Sequence, residues 1–460
     1  MINKVWEKSA IFFLLILFAA CAKNEQKPLP DTTQSKNNKA QEIRVSSIER
    51  DSAEPNIASA PDGGIYLVWA EHSAGKKADI FLKKFDREGN LIGEQVRVNP
   101  EPEQATAWRG DPPTVKIGAD KSVYVGWTAN VETDGKKGTN LYLSASRNDG
   151  KSFDAPVKVN DDSAPVSHGM HSLAVDKSNR VYLAWLDERN VRTAEKAEIF
   201  DAIQPTPTPE FEIVKIHHDS NQKPENSKTE APKEETEPNS EIFYAVSKDS
   251  GKSFSANKKV AGEICPCCKT SIIAAPDEKV YISWRQVLPG DFRHIAVAAS
   301  ENHGETFSAP VIVSDDQWRI NACPVSGAAM AIGARNQLEI LWFTAGQAGE
   351  AGLYRSESAD GGKTFAPRSS VFENISVGSV SLQADEAQNF NVVWDSGGKI
   401  FSRTFSAGGQ TAPGEMKEIG NGELTAAVSS GQKLFVGFIK KEGAKRSIWL
   451  SVSENQTASE

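Results

Sequence analysis

The stretch VYLAW, residues 181–185, carries the pattern that decides the fold. Its alternating, β-branched and aromatic side chains are typical of a β-strand packed in a core. Six further copies, some looser, are IYLVW at 65–69, VYVGW at 123–127, VYISW at 280–284, LEILW at 338–342, FNVVW at 390–394 and LFVGF at 434–438. They recur every 44 to 58 residues, apart from one interval of 99, and such a recurrence indicates repeated supersecondary units.

Each unit also contains an earlier strand of small residues and two later strands, which makes the four short strands of a propeller blade. Seven units therefore predict an all-β, seven-bladed β-propeller over residues 42–455. The last unit lacks a fourth strand, and EIRVSS at 42–47 matches fourth strands such as QVRVN at 95–99. Pairing of this N-terminal strand with the last unit would close the ring and leave no open sheet edge.

A second motif lies between the third and fourth strands of four units. Its copies are SRNDGKSF at 146–153, SKDSGKSF at 247–254, SENHGETF at 300–307 and SADGGKTF at 358–365. An Asp or Asn that accepts from backbone N–H groups, a glycine with positive φ and a packed aromatic ring explain the pattern. The motif resembles the Asp box, or BNR repeat, of the sialidase superfamily. That resemblance implies a propeller fold, with six blades as the alternative count, and a structural role for the boxes.

The resemblance implies less about activity. Sialidases hold the substrate carboxylate with three arginines and use a Tyr–Glu nucleophile pair and an aspartic acid. The Phe/Tyr-Arg-Ile-Pro motif that supplies one of those arginines is absent from this sequence. All seven tyrosines fall in the second- or third-strand motifs, at positions 66, 124, 142, 182, 244, 281 and 354. The sialidase fold is therefore supported, whereas the sialidase mechanism is not.

The N-terminus has the features of an export signal. Lys4 and Lys8 precede the apolar run IFFLLILFAA at 11–20, which is too short to span a membrane. Cys21 follows, and the ending FAAC resembles a bacterial lipobox, whose cysteine is lipidated. Residues 1–20 are thus predicted to be a lipoprotein signal peptide, and 21–41 a flexible tether. Ala22, in place of aspartate, implies by the same resemblance a cell-envelope protein anchored in the outer membrane.

Composition limits the partners of the chain. With 52 basic and 61 acidic residues its net charge is −9, which argues against nucleic acid because phosphate binding needs a clustered basic excess. The third unit carries an insertion whose second half, about 217–240, is rich in Lys, Glu, Pro and Ser, a composition that predicts disorder. The expected partners are the membrane, through the lipid anchor, and a glycan or a surface protein.

The loops that lead into the first strands of units two to five hold most of the chemically unusual residues. In a propeller these loops, 106–113, 167–172, 263–271 and 320–327, share one face beside the central channel. A concave surface on which polar groups converge is the expected binding site. Arginine side chains there would suit a carboxylate. The predicted binding residues are Trp108, Arg109, Asp111, Arg285, Arg293, Trp318 and Arg319.

The same loops carry a second set, rich in sulfur and imidazole. Its members are His168, Met170, His171, Cys265, Cys267, Cys268 and Cys323. Two interpretations stay open. Cysteines of an exported protein are expected to oxidise, which would bond Cys323 to a cysteine of loop 263–271. Alternatively, thiolates with Met170 and an imidazole would bind Cu(I), and thiolates with His171 would bind Zn²⁺.

The sequence thus predicts an exported, lipid-anchored, sialidase-like propeller that presents a binding face at the channel mouth to a glycan, a surface protein or a metal. One alternative is an exo-α-sialidase or a related glycoside hydrolase. The other is a copper- or redox-handling accessory protein. No catalytic residue can be assigned from the sequence.

Overall fold

The computed structural model describes residues 40–190, 239–319, 325–406 and 414–455 of the 460-residue chain. They belong to one compact unit, Thr32–Glu460, while a separate unit, Met1–Asp31, lies outside the described residues. The described chain is all-β, as predicted, and its single helical element is a 3-10 turn at Ala334–Asn336. No helix in the described ranges is long and apolar enough to cross a membrane.

The strands form antiparallel meanders of four. The first sheet contains β2 (Asp51–Ser59), β3 (Ile65–Ser73), β4 (Lys77–Phe85) and β5 (Leu91–Arg97). The second contains β6 (Thr114–Ile117), β7 (Val123–Thr133), β8 (Lys136–Ser146) and β9 (Val157–Lys158).

The next eight strands form one continuous sheet made of two such meanders. Its first half is β10 (His168–Val175), β11 (Val181–Asp187), β12 (Ser240–Ser247) and β13 (Lys258–Ile264). Its second half is β14 (Ser271–Ala274), β15 (Val280–Leu288), β16 (Phe292–Ser300) and β17 (Val311–Ile312). A single residue pair, Ile264 with Gln286, joins the two halves through β13 and β15.

Three four-stranded sheets complete the described chain. One contains β18 (Ala329–Ile332), β19 (Leu338–Thr344), β20 (Gly352–Ser358) and β21 (Ser369–Glu373). The next contains β22 (Val380–Ala384), β23 (Asn389–Ser396), β24 (Lys399–Ser406) and β25 (Lys417–Asn421). The last contains β26 (Glu423–Ser430), β27 (Lys433–Glu442), β28 (Lys445–Glu454) and the N-terminal β1 (Gln41–Arg44). β1 runs antiparallel to β28, with Ile43 opposite Leu450.

The first strands of the sheets line a common cavity. They contact one another in the order β2, β6, β10, β14, β18, β22 and β26, and β26 contacts β2. All seven contribute to a cavity of about 350 Å³, which is lined mainly by small and apolar side chains. Lys116 of β6 is the only charged residue that lines it within the described chain. Two of the predicted site loops, 106–113 and 263–271, precede the lining strands β6 and β14.

The repeated aromatic residue lies at the core of each second strand. The six repeat tryptophans, at 69, 127, 185, 284, 342 and 394, are at most 1% exposed. Burial of a large apolar side chain contributes about 1.5–3 kcal/mol, and a buried indole N–H also needs a hydrogen-bond acceptor. In β11 the Nε1 of Trp185 donates to Oδ2 of Asp187 at 2.8 Å.

The Asp-box motifs form the turns between third and fourth strands. In the box at 247–254, Oδ1 of Asp249 accepts from the Ser253 amide at 2.9 Å and from the Ser247 hydroxyl at 2.7 Å. Gly251 has φ +85°, and a Cβ there would lie 2.8 Å from the Leu143 side chain of the preceding sheet. In the first copy Asn148 plays the part of Asp249, accepting from the Ser152 amide at 3.0 Å. These are the contacts of a structural turn.

Candidate functional site

The loop that leads into β6 makes a tight turn, and the Arg109 side chain extends out of this turn. The Asp111 amide donates to the Trp108 carbonyl at 2.8 Å. The Trp108 ring then lies over Gly110, where a Cβ would be only 2.2 Å from the ring. A side chain at position 110 would therefore force the Trp108 ring to shift. Nη2 of Arg109 reaches the carbonyl oxygen of Gly378, close to the start of β22, at 3.4 Å. The side chain thus connects the second sheet with a sheet far along the chain.

Asp111 holds His171 rather than an open ligand position. Oδ1 of Asp111 lies 2.7 Å from Nδ1 of His171 and also accepts its backbone amide at 3.1 Å. The other ring nitrogen, Nε2, lies 3.1 Å from the Thr114 hydroxyl. The Thr128 hydroxyl donates to Oδ2 of Asp111 at 2.9 Å. Both ring nitrogens of this buried histidine are therefore engaged within the protein.

His168 also contacts neighbouring residues through both ring nitrogens. Its Nδ1 lies 2.6 Å from the Thr139 carbonyl oxygen, and its Nε2 lies 3.0 Å from Asp162 and 3.7 Å from Asp187. Burial alone would lower the pKa of His168, but the hydrogen bond to Asp162 and the charges of Asp187 and Asp162 raise it. His168 is therefore buried beside two aspartates. It does not belong to the group that the three cysteines form.

Met170 marks the bulge of β10 and connects this strand to loop 263–271. Its φ is +50°, an uncommon value for a residue other than glycine. Its carbonyl oxygen accepts from both the amide and the hydroxyl of Thr270, at 3.2 and 3.0 Å. The Met170 side chain is buried in one hydrophobic cluster with Trp108 and Cys267. The structure thus brings together three of the residues predicted for the site.

Charged residues from several sheets act electrostatically on Lys269. We call Glu54, Arg109, Asp111, Lys269 and Asp395 the mouth cluster. Burial, followed by the like charge of Arg109, lowers the pKa of Lys269 to about 8, while Asp111, Glu54 and Asp395 act in the opposite direction. Lys269 is only half-buried and keeps part of its surface accessible.

The acidic side chains that act on Lys269 already contact other partners. Asp395 accepts from the Thr425 amide at 3.2 Å and from the Ser379 hydroxyl, and burial raises its pKa. Asp111 holds His171, and Glu54 contacts Arg446 at 3.4 Å. Lys269 itself makes no hydrogen bond or ion pair with any described residue. Lys269 is not among the residues predicted for the site, although it lies in the predicted site loop 263–271.

The three cysteines of loop 263–271 form a second group, the cysteine cluster. The sulfur atoms of Cys265, Cys267 and Cys268 all lie within 4.8 Å of one another. No other His, Cys, Asp or Glu of the described residues joins them in such a group. Cys265 and Cys268 are free and buried, whereas Cys267 is disulfide-bonded and only partly buried.

The disulfide partner of Cys267 is not one of the other described cysteines. The sequence leaves Cys21 and Cys323, both of which lie outside the described residues. Because its sulfur is in a disulfide, Cys267 is not available as a thiolate metal ligand in this state. Cys265 and Cys268 remain the two thiols that could bind a soft metal.

The remaining predicted binding residues surround the cysteine cluster. Arg293 donates from Nη1 to the Cys265 sulfur at 3.2 Å. Arg285 is fully buried, stacks over the Trp318 ring at 4.8 Å and donates to the carbonyl oxygens of Phe343 and Ser326 at 3.0 and 3.2 Å. Arg319 is exposed and lies over the Phe292 ring at 4.6 Å. The predicted set therefore divides in two, with Arg109 and Asp111 in the mouth cluster.

The tyrosines all lie away from the mouth cluster. The rings of Tyr66, Tyr124, Tyr244 and Tyr281 pack under the glycines of neighbouring Asp boxes. The hydroxyl of Tyr182 donates to Asp176 at 2.9 Å, in the turn that precedes β11. Tyr142 stacks on Trp127 with a centroid distance of 5.0 Å, and the Tyr354 hydroxyl donates to the Glu350 carbonyl. Each of the seven thus has a structural place.

The sequence matches no protein-family model and no curated protein significantly. Among solved structures, a protein of unknown function from Dyadobacter fermentans matches with a TM-score of 0.51 and 12% identity, covering 91% of this chain and 99% of its own. A mutant NanB sialidase from Streptococcus pneumoniae has a TM-score of 0.46, 11% identity and coverages of 90% and 98%. A Penicillium chrysogenum α-L-arabinanase has a TM-score of 0.44, 13% identity and coverages of 74% and 92%. At such identities the first match shows a shared fold and nothing of activity.

Proposed function

We propose that this chain is a lipid-anchored, exported, sialidase-like propeller that binds an acidic ligand, such as a carboxylated glycan, at the mouth of its central channel. Five four-stranded sheets and one eight-stranded sheet that divides into two meanders support a count of seven blades. The pairing of β1 with β28 supports closure of the last blade by the N-terminal strand. Lipidation of Cys21 supplies the anchor. Binding, rather than glycoside hydrolysis, is the function that the side chains support best.

The observation that carries this proposal is the ammonium of Lys269, which pairs with none of the residues that the structure describes. A cation that is partly removed from water and lacks a partner loses solvation free energy without compensation. Every carboxylate of the mouth cluster already accepts hydrogen bonds or contacts another cation. An anionic ligand group placed beside Lys269 would supply the missing charge-assisted hydrogen bond.

The cavity below the mouth cluster favours the same class of ligand. Its one charged lining residue is Lys116, and no carboxylate lines it in the described chain. Burial lowers the pKa of Lys116. The described lining of the cavity therefore carries a basic group and no acidic one. A positive field from this lining would attract an acidic ligand into the channel.

The Lys269→Met variant is expected to bind acidic saccharides about tenfold more weakly than the native protein, or worse. Calorimetry with N-acetylneuraminic acid and with oligogalacturonate, each beside a neutral sugar, measures the difference. Lys151→Met, on an Asp-box turn, is the matched control because it removes the same charge from an exposed position. Equal affinity of the two variants would contradict the proposed site.

The pH dependence of binding is a separate test. Because the pKa of Lys269 is about 8, affinity is expected to be constant below neutral pH and to fall as pH rises through 8. An exposed lysine, with a pKa of about 10.4, would keep its charge over that range. The groups that face Lys269 are Arg109, Asp111, Glu54 and Asp395. A loss of affinity that persists unchanged in Lys269→Met would assign the titration to another group.

We expect no hydrolysis of simple α-sialosides above the background rate. Glycosyl transfer to a tyrosine needs a phenol beside the substrate, and the tyrosine rings of this chain pack in the strands and against the Asp-box turns. A fluorogenic sialoside assay on the purified protein measures the rate. Robust turnover that Arg109→Gln abolishes would favour the glycosidase alternative instead.

A further inference from the structure

The first strands carry hydrogen-bonding side chains at one common level. In each sheet, the residue before the repeated aromatic position of the second strand pairs with one residue of the first strand. These seven first-strand residues are Asn56, Thr114, Ser172, Ser271, Ala329, Ser381 and Ala426. Asparagine, serine and threonine side chains can all donate a hydrogen bond, and none of them carries a charge. We call the five polar members of this set the polar ring.

Three members of the polar ring, Asn56, Ser271 and Ser381, line the central cavity. Oδ1 of Asn56 accepts from the Val115 amide at 3.1 Å, and its NH₂ group donates to no described residue. The Ser381 hydroxyl accepts from the Ala427 amide at 3.2 Å, so its own proton stays available. The Ser271 side chain makes no hydrogen bond with any described residue. All three side chains therefore offer donors to the cavity.

Lys116 adds a positive charge to the same cavity. It lies on β6 two residues beyond Thr114, on the same side of the strand and about 7 Å farther along it. Its side chain lines the cavity and forms no hydrogen bond or ion pair with any described residue. Removal from bulk water lowers its pKa, and no neighbouring charge contributes to that shift. Within the described chain, nothing therefore compensates this ammonium group.

The opposite end of the first strands is acidic. A second cavity, of about 330 Å³, is lined by the turns that follow β2, β22 and β26, at the carboxyl ends of these strands. Asp385 and Glu386 line it, and no basic residue of the described chain does. The mouth loops precede the amino ends of the first strands. An anion would therefore be repelled at the acidic end and attracted from the mouth side.

We propose that Lys116 and the polar ring form a binding site for a small inorganic oxyanion, such as phosphate, inside the channel. The ammonium would supply a charge-assisted hydrogen bond, and the side chains of Asn56, Ser271 and Ser381 would supply neutral ones. A tetrahedral oxyanion accepts hydrogen bonds from several directions, which suits donors that come from separate strands. No carboxylate of the described chain lines this cavity to repel the anion.

The site goes beyond the proposed function, in which Lys116 contributes only to the field along the channel. It involves neither Lys269 nor the other residues of the mouth cluster. The two sites can therefore be occupied or emptied separately, and each has its own lysine whose replacement tests it.

The test is calorimetric titration of the full chain in detergent with sodium phosphate, and in parallel with sodium sulfate, at constant ionic strength without chloride. We expect one site per chain for either oxyanion. Lys116→Met is expected to weaken binding about tenfold or more. Lys116→Arg keeps the charge and should retain most of the affinity. Lys151→Met removes the same charge from an exposed Asp-box turn and should bind as the native protein does.

Asn56→Asp is the sharpest variant because it keeps the size of the side chain and the acceptor for the Val115 amide. It replaces the NH₂ donor by an oxygen and adds a negative charge to the cavity lining. Oxyanion binding is expected to fall below detection, while the tryptophan fluorescence and the thermal midpoint show that the chain is folded. Ser381→Ala removes a single neutral donor and should weaken binding only several-fold.

Lys269→Met separates the channel site from the mouth cluster. Native phosphate affinity in Lys269→Met, with loss in Lys116→Met, would support the channel site. The reverse pattern would overturn it and assign the oxyanion to the mouth cluster. Absence of phosphate and sulfate binding by the native protein, or equal affinity in Lys116→Met, would also overturn it. Lys116-dependent phosphate binding without any binding of acidic saccharides would support this inference and contradict the proposed function alone.

Discussion

The Cys21→Ser variant is expected to leave the membrane fraction and to accumulate as soluble exported protein. In the proposed lipoprotein the acyl chains supply the membrane affinity, at about 0.8 kcal/mol per buried CH₂, and two or more chains make the anchoring stable. Serine cannot take up the thioether-linked lipid. Fractionation of cells followed by immunoblotting measures the shift, which should be close to complete.

Ala22→Asp is the informative control for that experiment. By the lipobox resemblance it keeps the lipid on Cys21 but should retain the protein at the inner membrane. Separation of the two membranes on a density gradient therefore distinguishes loss of the anchor from a change of destination. A Cys21→Ser protein that stays with the membrane would remove the basis for lipid anchoring.

The sheets could be predicted because their signal is local and repeated. Residues 181–185 alternate in a strand period, and the structure places β11 at Val181–Asp187 with Trp185 fully buried. The turns were predictable for the same reason, since Asn148 and Asp249 bond to amides only four residues away. Burial of a repeated tryptophan and closure of a short turn depend on neighbours in sequence. They need no knowledge of the distant packing.

Two charged residues could have been recognised by comparing the repeats more closely. The residue after the repeated aromatic position is Ala70, Thr128, Leu186, Arg285, Phe343, Asp395 or Ile439. Arg285 and Asp395 are the only charged members of that set, and the structure buries both. Arg285 lies beside the cysteine cluster, and Asp395 belongs to the mouth cluster. A charged residue at a core position that is uncharged in the other repeats indicates that a polar partner lies close to it.

The sites themselves could be predicted only in part. Lys269 looks like any surface lysine in the sequence, because its importance comes from Arg109 and Asp395, which are distant along the chain. The C-x-x-C spacing of Cys265 and Cys268 was visible inside the Cys-Pro-Cys-Cys motif, and it distinguishes the free pair from Cys267. The engagement of His168 and His171 by Asp162 and Asp111 depends on the packing of neighbouring sheets. Spacing alone could not show it.

The Arg285→Met variant is expected to lower the free energy of unfolding by about 2–6 kcal/mol, because two carbonyl acceptors are left unsatisfied in the interior. Methionine keeps the apolar stem but removes the donors to the carbonyl oxygens of Phe343 and Ser326. Each acceptor left unsatisfied in the interior costs about 1–3 kcal/mol. Urea denaturation followed by tryptophan fluorescence measures the change.

Arg319→Met provides the matched comparison, because it removes the same group from an exposed position over the Phe292 ring. Its expected cost is below about 1 kcal/mol, as for exposed charge contacts and cation–π pairs. The two variants also differ in their effect on sulfur chemistry. Loss of Arg285 removes one positive charge that lowers the pKa of Cys265. Under conditions in which the variant stays folded, alkylation of that thiol should therefore require a higher pH. Equal stability of the two variants would show that the hydrogen bonds of Arg285 to the Phe343 and Ser326 carbonyl oxygens do not stabilise the fold. Arg285 would then again be a candidate for ligand binding.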